Sequence, residues 1–245
     1  MKKTLKLVGF SILLLSASYS FGQTQDSYDY NSEFTWGINK NSSGGLIGGF
    51  TLKKAKRLSE RVFETFGLEI MNVKNPQESR IQSQITGNFF IFGKSNYLYA
   101  FRFQYGRDIV LFTKAPQQGI EVKAVFAAGP TIGIVAPYYI ERSVDRSFNN
   151  TIGEQYDPND PNHALNNIFG TGSLFQGISE SSIQMGGNIK AGLNFELGLV
   201  KSQVTGFEVG VLIDAYFKDV VLMPTAPNNA VFPTVYLTLF YGNRK

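Results

Sequence analysis

The chain has 245 residues, 43% of them hydrophobic and 17% charged, with 25 glycines, no cysteine and a single histidine, His163. That is too apolar and too weakly charged for a disordered chain, and without cysteine it holds neither a disulfide framework nor a Cys-ligated zinc or iron–sulfur site. One histidine also excludes a multi-histidine metal centre, so no metal or other cofactor is expected.

Lys2, Lys3 and Lys6 open the chain and supply three of its +4 formal charges. The apolar run 7–17 follows, and then the small residues Ser20 and Gly22. This is the pattern of a secretory signal over residues 1–22, cleaved before Gln23. The run spans about 11 residues where a membrane helix needs roughly 20, so no helical span is expected. Without the signal the charge falls to about +1, which argues against a nucleic-acid partner.

From Ser32 onward the apolar residues recur with period two, the spacing of β-strands. Strands at 33–39, 44–53 and 62–73 are less regular. The segment 97–105 is the clearest: Tyr97, Tyr99, Phe101, Phe103 and Tyr105 share one face, and Leu98, Ala100, Arg102 and Gln104 the other. In 120–138 the even positions are apolar, from Ile120 to Tyr138, while Glu121 and Lys123 fall opposite. In 183–199, Ile183, Met185, Ile189 and Leu193 oppose Lys190 and Glu196. In 207–217, Phe207, Val209, Val211 and Ile213 oppose Glu208 and Asp214. A last strand is expected at 231–241.

Eight strands are an even number that returns both chain ends to one side, as single-chain outer-membrane barrels require. The links near 54–60 and 201–205 are short, and those at 74–96 and 141–182 are long. The predicted fold is therefore all-β, an eight-stranded antiparallel transmembrane up-and-down β-barrel over 23–245. Its termini are expected to be periplasmic and its long loop at about 141–182 extracellular. The rival is a soluble barrel with an apolar interior, because period two alone does not say which face points in. Volume decides between them: five aromatics on one strand, with Phe126, Phe195, Phe207 and Phe217 beside them, would overfill the interior of eight strands. The aromatic face is thus assigned to lipid. Gly129-Pro130 interrupts the fifth strand and predicts a local kink or bulge.

The opposite face puts Arg102, Glu121, Lys123, Lys190, Glu196, Glu208 and Asp214 in the lumen, where unpaired ions are costly. An internal salt-bridge network is expected, including Lys190 with Asp214. A lumen charge left unpaired would instead suit a narrow channel or small-ligand site. His163 lies in the long loop; with Ser173, Ser179, Ser181 or Ser182 it is the candidate base of a lipid-modifying enzyme, against the plainer reading of a solvated loop histidine. Glu154, Asp157, Asn159 and Asp160 offer oxygen ligands for calcium, but they match no EF-hand spacing, and Asx-Pro turns explain the same residues. Residues 161–169 are read as a short helix capped by Asp160 and ended by Gly170. Phe148, Phe169 and Phe175, with Ile152 and Leu174, either fold the loop onto the rim or form a docking surface. Lys53, Lys54, Lys56 and Arg57 are read as a solvated basic turn.

The plan resembles small outer-membrane barrels of the OmpA/OmpX type and, more narrowly, the PorT-like barrels of Bacteroidota-type bacteria. The residues behind the resemblance are Ser20-Phe21-Gly22-Gln23, the run from Phe92 through Gly93-Lys94-Ser95 to Tyr99, and Gly129-Pro130-Thr131-Ile132-Gly133 leading to Pro137-Tyr138-Tyr139. It implies a non-enzymatic barrel that is a structural or accessory subunit of an outer-membrane complex. The implied partners are outer-membrane lipids and other outer-membrane or periplasmic proteins, and no catalytic residue carries over. One departure is the end of the chain: Asn243-Arg244-Lys245 follows Phe240 and Tyr241, where such barrels often end on an aromatic residue.

Overall fold

A computed structural model describes residues 30–44, 48–114, 119–144, 150–173, 176–197 and 203–245. The expected signal segment, together with Phe148, Leu174 and Phe175, lies outside them. The strands are β1 (Ser32–Asn41), β2 (Gly49–Arg57), β3 (Val62–Val73), β4 (Arg80–Gln82), β5 (Phe89–Ile91), β6 (Asn96–Phe112), β7 (Glu121–Pro137), β8 (Tyr139–Ser143), β9 (Thr151–Gln155), β10 (Ile168–Thr171), β11 (Ser182–Glu196), β12 (Gln203–Val220) and β13 (Asn229–Arg244). Eight of them close into an antiparallel barrel in the order β1-β13-β12-β11-β7-β6-β3-β2. The first and last strands seal it, with Trp36 opposite Tyr241 and Phe34 opposite Asn243. Closure matters because it leaves no sheet edge with unpaired backbone groups, the condition for a β-structure in lipid.

Period two sorts the side chains as expected. Phe34, Trp36, Ile38, Phe66, Phe103, Tyr105, Phe126, Val211 and Leu239 point outward and are exposed, whereas Arg102 and Asp214 point inward and are fully buried. An apolar outer wall around a charged interior is the inverse of a soluble barrel and the distribution of a membrane-spanning one. Along its axis the lumen changes in character. Tyr30, Ala55, Phe63 and Val110 form a small apolar cluster at the end with the 58–61 turn, interleaved with charge: Ala55 lies opposite Glu33, Val110 opposite Lys123, and the Tyr30 hydroxyl accepts from Lys123. The charged residues fill the middle. Met71, Val73, Leu98, Ala100, Val135, Tyr216 and Phe232 are among those that close the opposite end, where the long loops emerge.

Several local expectations are corrected. The basic cluster is not a turn: Lys53, Lys54, Lys56 and Arg57 lie within β2, with Lys53 turned into the lumen and Lys54 and Lys56 outward. The turn follows at 58–61, where Leu58 and Ser59 both donate to the Val62 carbonyl. β6 runs on to Phe112, which shortens its link to β7. Gly129-Pro130 causes no register shift: β7 pairs β6 in one register at Arg102↔Thr131 and Tyr105↔Ala128, with the pairing interrupted at Phe103 and Gln104 between them. A Cβ on Gly129 would sit 2.0 Å from the Phe103 carbonyl oxygen, so glycine permits the close approach of the two backbones. Asn188 Nδ2 then donates to the carbonyls of Gly129 (3.1 Å) and Pro130 (3.3 Å), which ties the strand to β11.

The long loops fold into a head beyond the barrel. β8, β9 and β10 form a three-stranded sheet with β8 in the middle, and β4 and β5 form a hairpin beside β10. Phe90, Tyr138, Ile140, Tyr156 and Ile168 make its core. The short helix expected at 161–169 is instead two 3₁₀ turns, Pro161–His163 and Leu165–Asn167, followed directly by β10. Asp160 caps the first as expected, its Oδ1 accepting from the Asn162 N–H at 2.9 Å. Ala164 between the turns is extended, which prevents them from merging into one α-helix.

Candidate functional site

The lumen brings the seven expected charges onto one buried face and adds others that the sequence reading did not place there: Glu33, Lys53, Glu69, Asp108, Lys114 and Arg244. At its centre Arg102 grips Asp214 with two nitrogens, Nε to Oδ1 at 2.9 Å and Nη2 to Oδ2 at 2.5 Å, and gives Nη1 to Glu69 at 2.7 Å. The expected Lys190–Asp214 pair does not form. Register places Asn188 opposite Asp214 and Lys190 opposite Leu212, so Lys190 reaches instead to Glu208 at 2.9 Å and Glu69 at 3.7 Å. Lys53 bridges Asp108 (2.6 Å) and Glu208 (3.3 Å). Nearer the termini, Lys123 meets Glu121 (3.1 Å) and Glu33 (3.3 Å), while Glu196 accepts from Lys114 at 2.6 Å and is also paired with Arg244. Each of the seven expected charges thus has an ion-pair partner. Among the described residues, two small cavities of about 30 and 20 Å³ lie beside Lys53, Lys190 and Glu208, room for about one water each. A polar path through the barrel would have to cross the apolar cluster at the loop end. This architecture rigidifies the barrel.

The aromatics of β6 take a graded set of positions. Phe103 and Tyr105 are exposed on the outer wall, Phe101 and Tyr99 are half-buried, and Tyr97 lies beneath the head with its ring 5.3 Å from that of Tyr138. The Lys94 ammonium sits 4.5 Å above the Tyr97 ring and 2.8 Å from both oxygens of Glu78. Gly93, at φ 80°, makes the left-handed bend that turns Lys94 inward. Burial pushes the Lys94 ammonium below its ordinary pKa, and the Glu78 carboxylate opposes that shift.

His163, expected to be a solvated loop residue, is buried in the head at 4% exposure. Its ring stacks on Tyr156 at 5.6 Å. Nε2 lies 2.7 Å from Glu154 Oε1, and Nδ1 lies 2.9 Å from the main chain of Asp157. Both ring nitrogens are therefore engaged within the head, leaving neither for a serine. Arg142 also binds Glu154, with Nη2 at 3.3 Å from Oε2. That hydrogen bonding holds the Glu154 carboxyl below its usual range, with His163 adding to the effect. The acidic residues of the loop are used for turns. Asp157 Oδ1 accepts from the Asn159 N–H at 2.9 Å, and the main-chain N–H of Asn162 keeps the Asp160 carboxyl below its usual range. Glu154, Asp160 and His163 place ligand atoms within 4.8 Å of one another, but the Arg142 guanidinium already neutralises the cluster that a cation would need. Of the apolar loop residues, Phe169 is buried at 7% exposure and Ile152 is exposed at 43%.

No protein-family model and no curated protein matches the sequence. Among solved structures, the chain is similar to Ail, the attachment invasion locus protein of Yersinia pestis, with 9% identity over 89% of this chain and 99% of that one, at a TM-score of 0.39. A second structure of Ail, in complex with the heparin analogue sucrose octasulfate, matches at the same TM-score of 0.39. Neisserial surface protein A matches with 11% identity over 88% of this chain and 97% of that one, at a TM-score of 0.37.

The missed lumen residues had a signal. In β1, Phe34, Trp36 and Ile38 alternate with Glu33, Thr35, Gly37 and Asn39, which assigns Glu33 inward. Asp108 and Arg244 were missed because β6 and β13 continue past the ends set for them, Tyr105 and Tyr241.

Proposed function

We propose that this chain is a non-enzymatic outer-membrane barrel with periplasmic termini, and an accessory subunit of an outer-membrane complex that its folded loop head recruits outside the cell. The observation that carries this reading is the head itself. Two long loops, which would be free to vary if they only closed the barrel, share one apolar core and a Ser83–Ile168 hydrogen bond; one is stiffened by a buried Lys94–Glu78 pair and the other by a three-stranded sheet. Ordering such loops costs conformational entropy, and a rigid surface held off the membrane is what that cost yields. Two other readings find less support. A channel needs a polar path, whereas the lumen charges are paired with one another and an apolar cluster packs at the loop end. An enzyme built on His163 needs a free ring nitrogen, and both are engaged inside the head.

The test is to tag the chain in its native membrane, solubilise in mild detergent and identify what co-purifies. A stoichiometric partner that is lost when residues 74–95 and 138–181 are replaced by short turns supports the reading. A lone barrel that alters lipid acyl chains, and stops doing so in His163→Ala, would overturn it in favour of an enzyme.

A further inference from the structure

The small sheet of the head has two edges, and only one is covered. At β10 the β4–β5 hairpin caps the outer carbonyls: Ser83 Oγ donates to the Ile168 oxygen at 2.7 Å, and the Thr86 hydroxyl donates to that of Phe169. β9 is the other edge, and four of its five residues are exposed. Its hydrogen-bond phase follows from the flanking pairs, in which the Tyr156 N–H donates to the Tyr138 carbonyl and the Val144 N–H to that of Asn150. In an antiparallel ladder such pairs recur at every second residue. Ile152 and Glu154 therefore bond β8, while Thr151, Gly153 and Gln155 turn their N–H and C=O groups away from the sheet. Among the described residues these main-chain groups have no partner.

Charge at this edge has one sign. Gly153 lies opposite Glu141 and Gln155 opposite Tyr139, whose hydroxyl is 3.0 Å from Glu180. At Gln155, the last residue of β9, opens a cavity of about 260 Å³ lined by Asn96, Gln184, Glu180 and Asp219 among others, with no basic side chain in its lining. Arg142, the cation nearest in the sheet, is already bound to Glu154. On the opposite face Ile152 is exposed.

We propose that β9 is the docking edge for an extended, basic segment of a partner protein, which adds to the sheet as a fourth strand and places a lysine or arginine in the carboxylate-lined cavity at Gln155. The segment has apolar residues on the Ile152 face and basic ones on the Glu141 face, so it alternates in the manner of a half-buried strand. Main-chain bonds to Thr151, Gly153 and Gln155 supply the pairing, and Glu141, Glu180 and Asp219 select for charge. This rests on the reading of the head as a recruiting surface and says how it recruits.

The probe is an end-capped heptapeptide alternating valine and lysine, added to the purified chain in detergent micelles and followed by amide hydrogen exchange. Saturable binding that slows exchange at Thr151, Gly153 and Gln155 by about tenfold or more supports the proposal, because those amides alone become newly bonded. Gly153→Pro removes an outward N–H without touching the β8–β9 ladder, and Thr151→Pro does the same one pair away, so each abolishes binding with the head still folded. Glutamate in place of lysine weakens the peptide by about tenfold or more. Equal binding by both proline variants, or no slowing at the three amides, overturns the docking edge. In the native membrane the two ideas separate: if replacing the head removes a partner that Gly153→Pro retains, the recruiting head stands and the β9 edge does not.

Discussion

Arg102 is the side chain whose removal should damage the barrel most. It is fully buried, as is Asp214, and it neutralises both Asp214 and Glu69 from β6 while they reach in from β12 and β3. In Arg102→Met, Glu69 keeps Asn39 Nδ2 at 3.0 Å and Lys190 at 3.7 Å. Asp214 keeps only the Thr131 hydroxyl at 3.3 Å among its described hydrogen bonds. Breaking a buried pair from one side costs about 3–5 kcal/mol, because the remaining ion is desolvated without compensation. Removing that ion as well, in Arg102→Met with Asp214→Leu, should recover about 2–3 kcal/mol of the loss, a coupling of the size found between residues in one network. The assay is urea unfolding of the purified barrel in detergent, read by tryptophan emission from Trp36, the only tryptophan in the chain. A single variant that loses less than about 1 kcal/mol, or a double variant no more stable than the single, would refute the argument that the lumen network is held by this guanidinium.

Other expectations test the remaining layers. Gly129→Ala puts a Cβ 2.0 Å from the Phe103 carbonyl oxygen and should destabilise the barrel by about 1–3 kcal/mol in the same unfolding assay; an unchanged midpoint would mean that the strands move apart freely. Reconstituted in planar bilayers at neutral pH, the chain should show no stable conductance, because paired charges fill the lumen and an apolar cluster packs at its loop end; steady unit currents would contradict that reading. The head should respond to acid. The Glu154 carboxyl is held below its ordinary value of 4.5, so the folded head binds fewer protons than the unfolded chain. Its contribution is complete above that value and lost as pH falls through the lowered one, and protease cleavage within 138–181 should rise on that acid limb. In Glu154→Gln that acid-induced rise should shrink; an identical pH profile for the variant and the parent would remove Glu154 from the explanation.

The barrel was legible because each strand carries its own evidence. In β6 the outward Tyr and Phe residues alternate with Leu98, Ala100 and Arg102, and a one-residue shift would expose every one of them wrongly. The same rule fails near strand ends. In β3, Phe63 points in with Tyr30, while Glu64 points out to Tyr105, whose hydroxyl is 2.6 Å away, so apolar and charged residues exchange faces there. Ion-pair partners were less legible than faces, since Lys190 meets Glu208 only after the register with β12 is fixed at Asn188↔Asp214. In the head the Asp160 cap was legible, but the packing was not. Its core joins Phe90 to Tyr138 and Ile168, residues far apart in sequence, and the burial of His163 follows from a stack on Tyr156 and a bond to Glu154 that no periodic spacing announces.

Because the chain contains no cysteine, single cysteines can be placed and labelled without background, and this gives the most direct test of a membrane barrel that presents its head to the outside. A membrane-impermeant maleimide is applied to intact cells and then to permeabilised ones. The account expects Ile152→Cys, in the head, to label on intact cells, Ser59→Cys, in the turn at the terminal end, to label only after permeabilisation, and Val211→Cys, on the outer wall, to resist both. Labelling of Ser59→Cys on intact cells with Ile152→Cys protected, or free labelling of Val211→Cys, would contradict it.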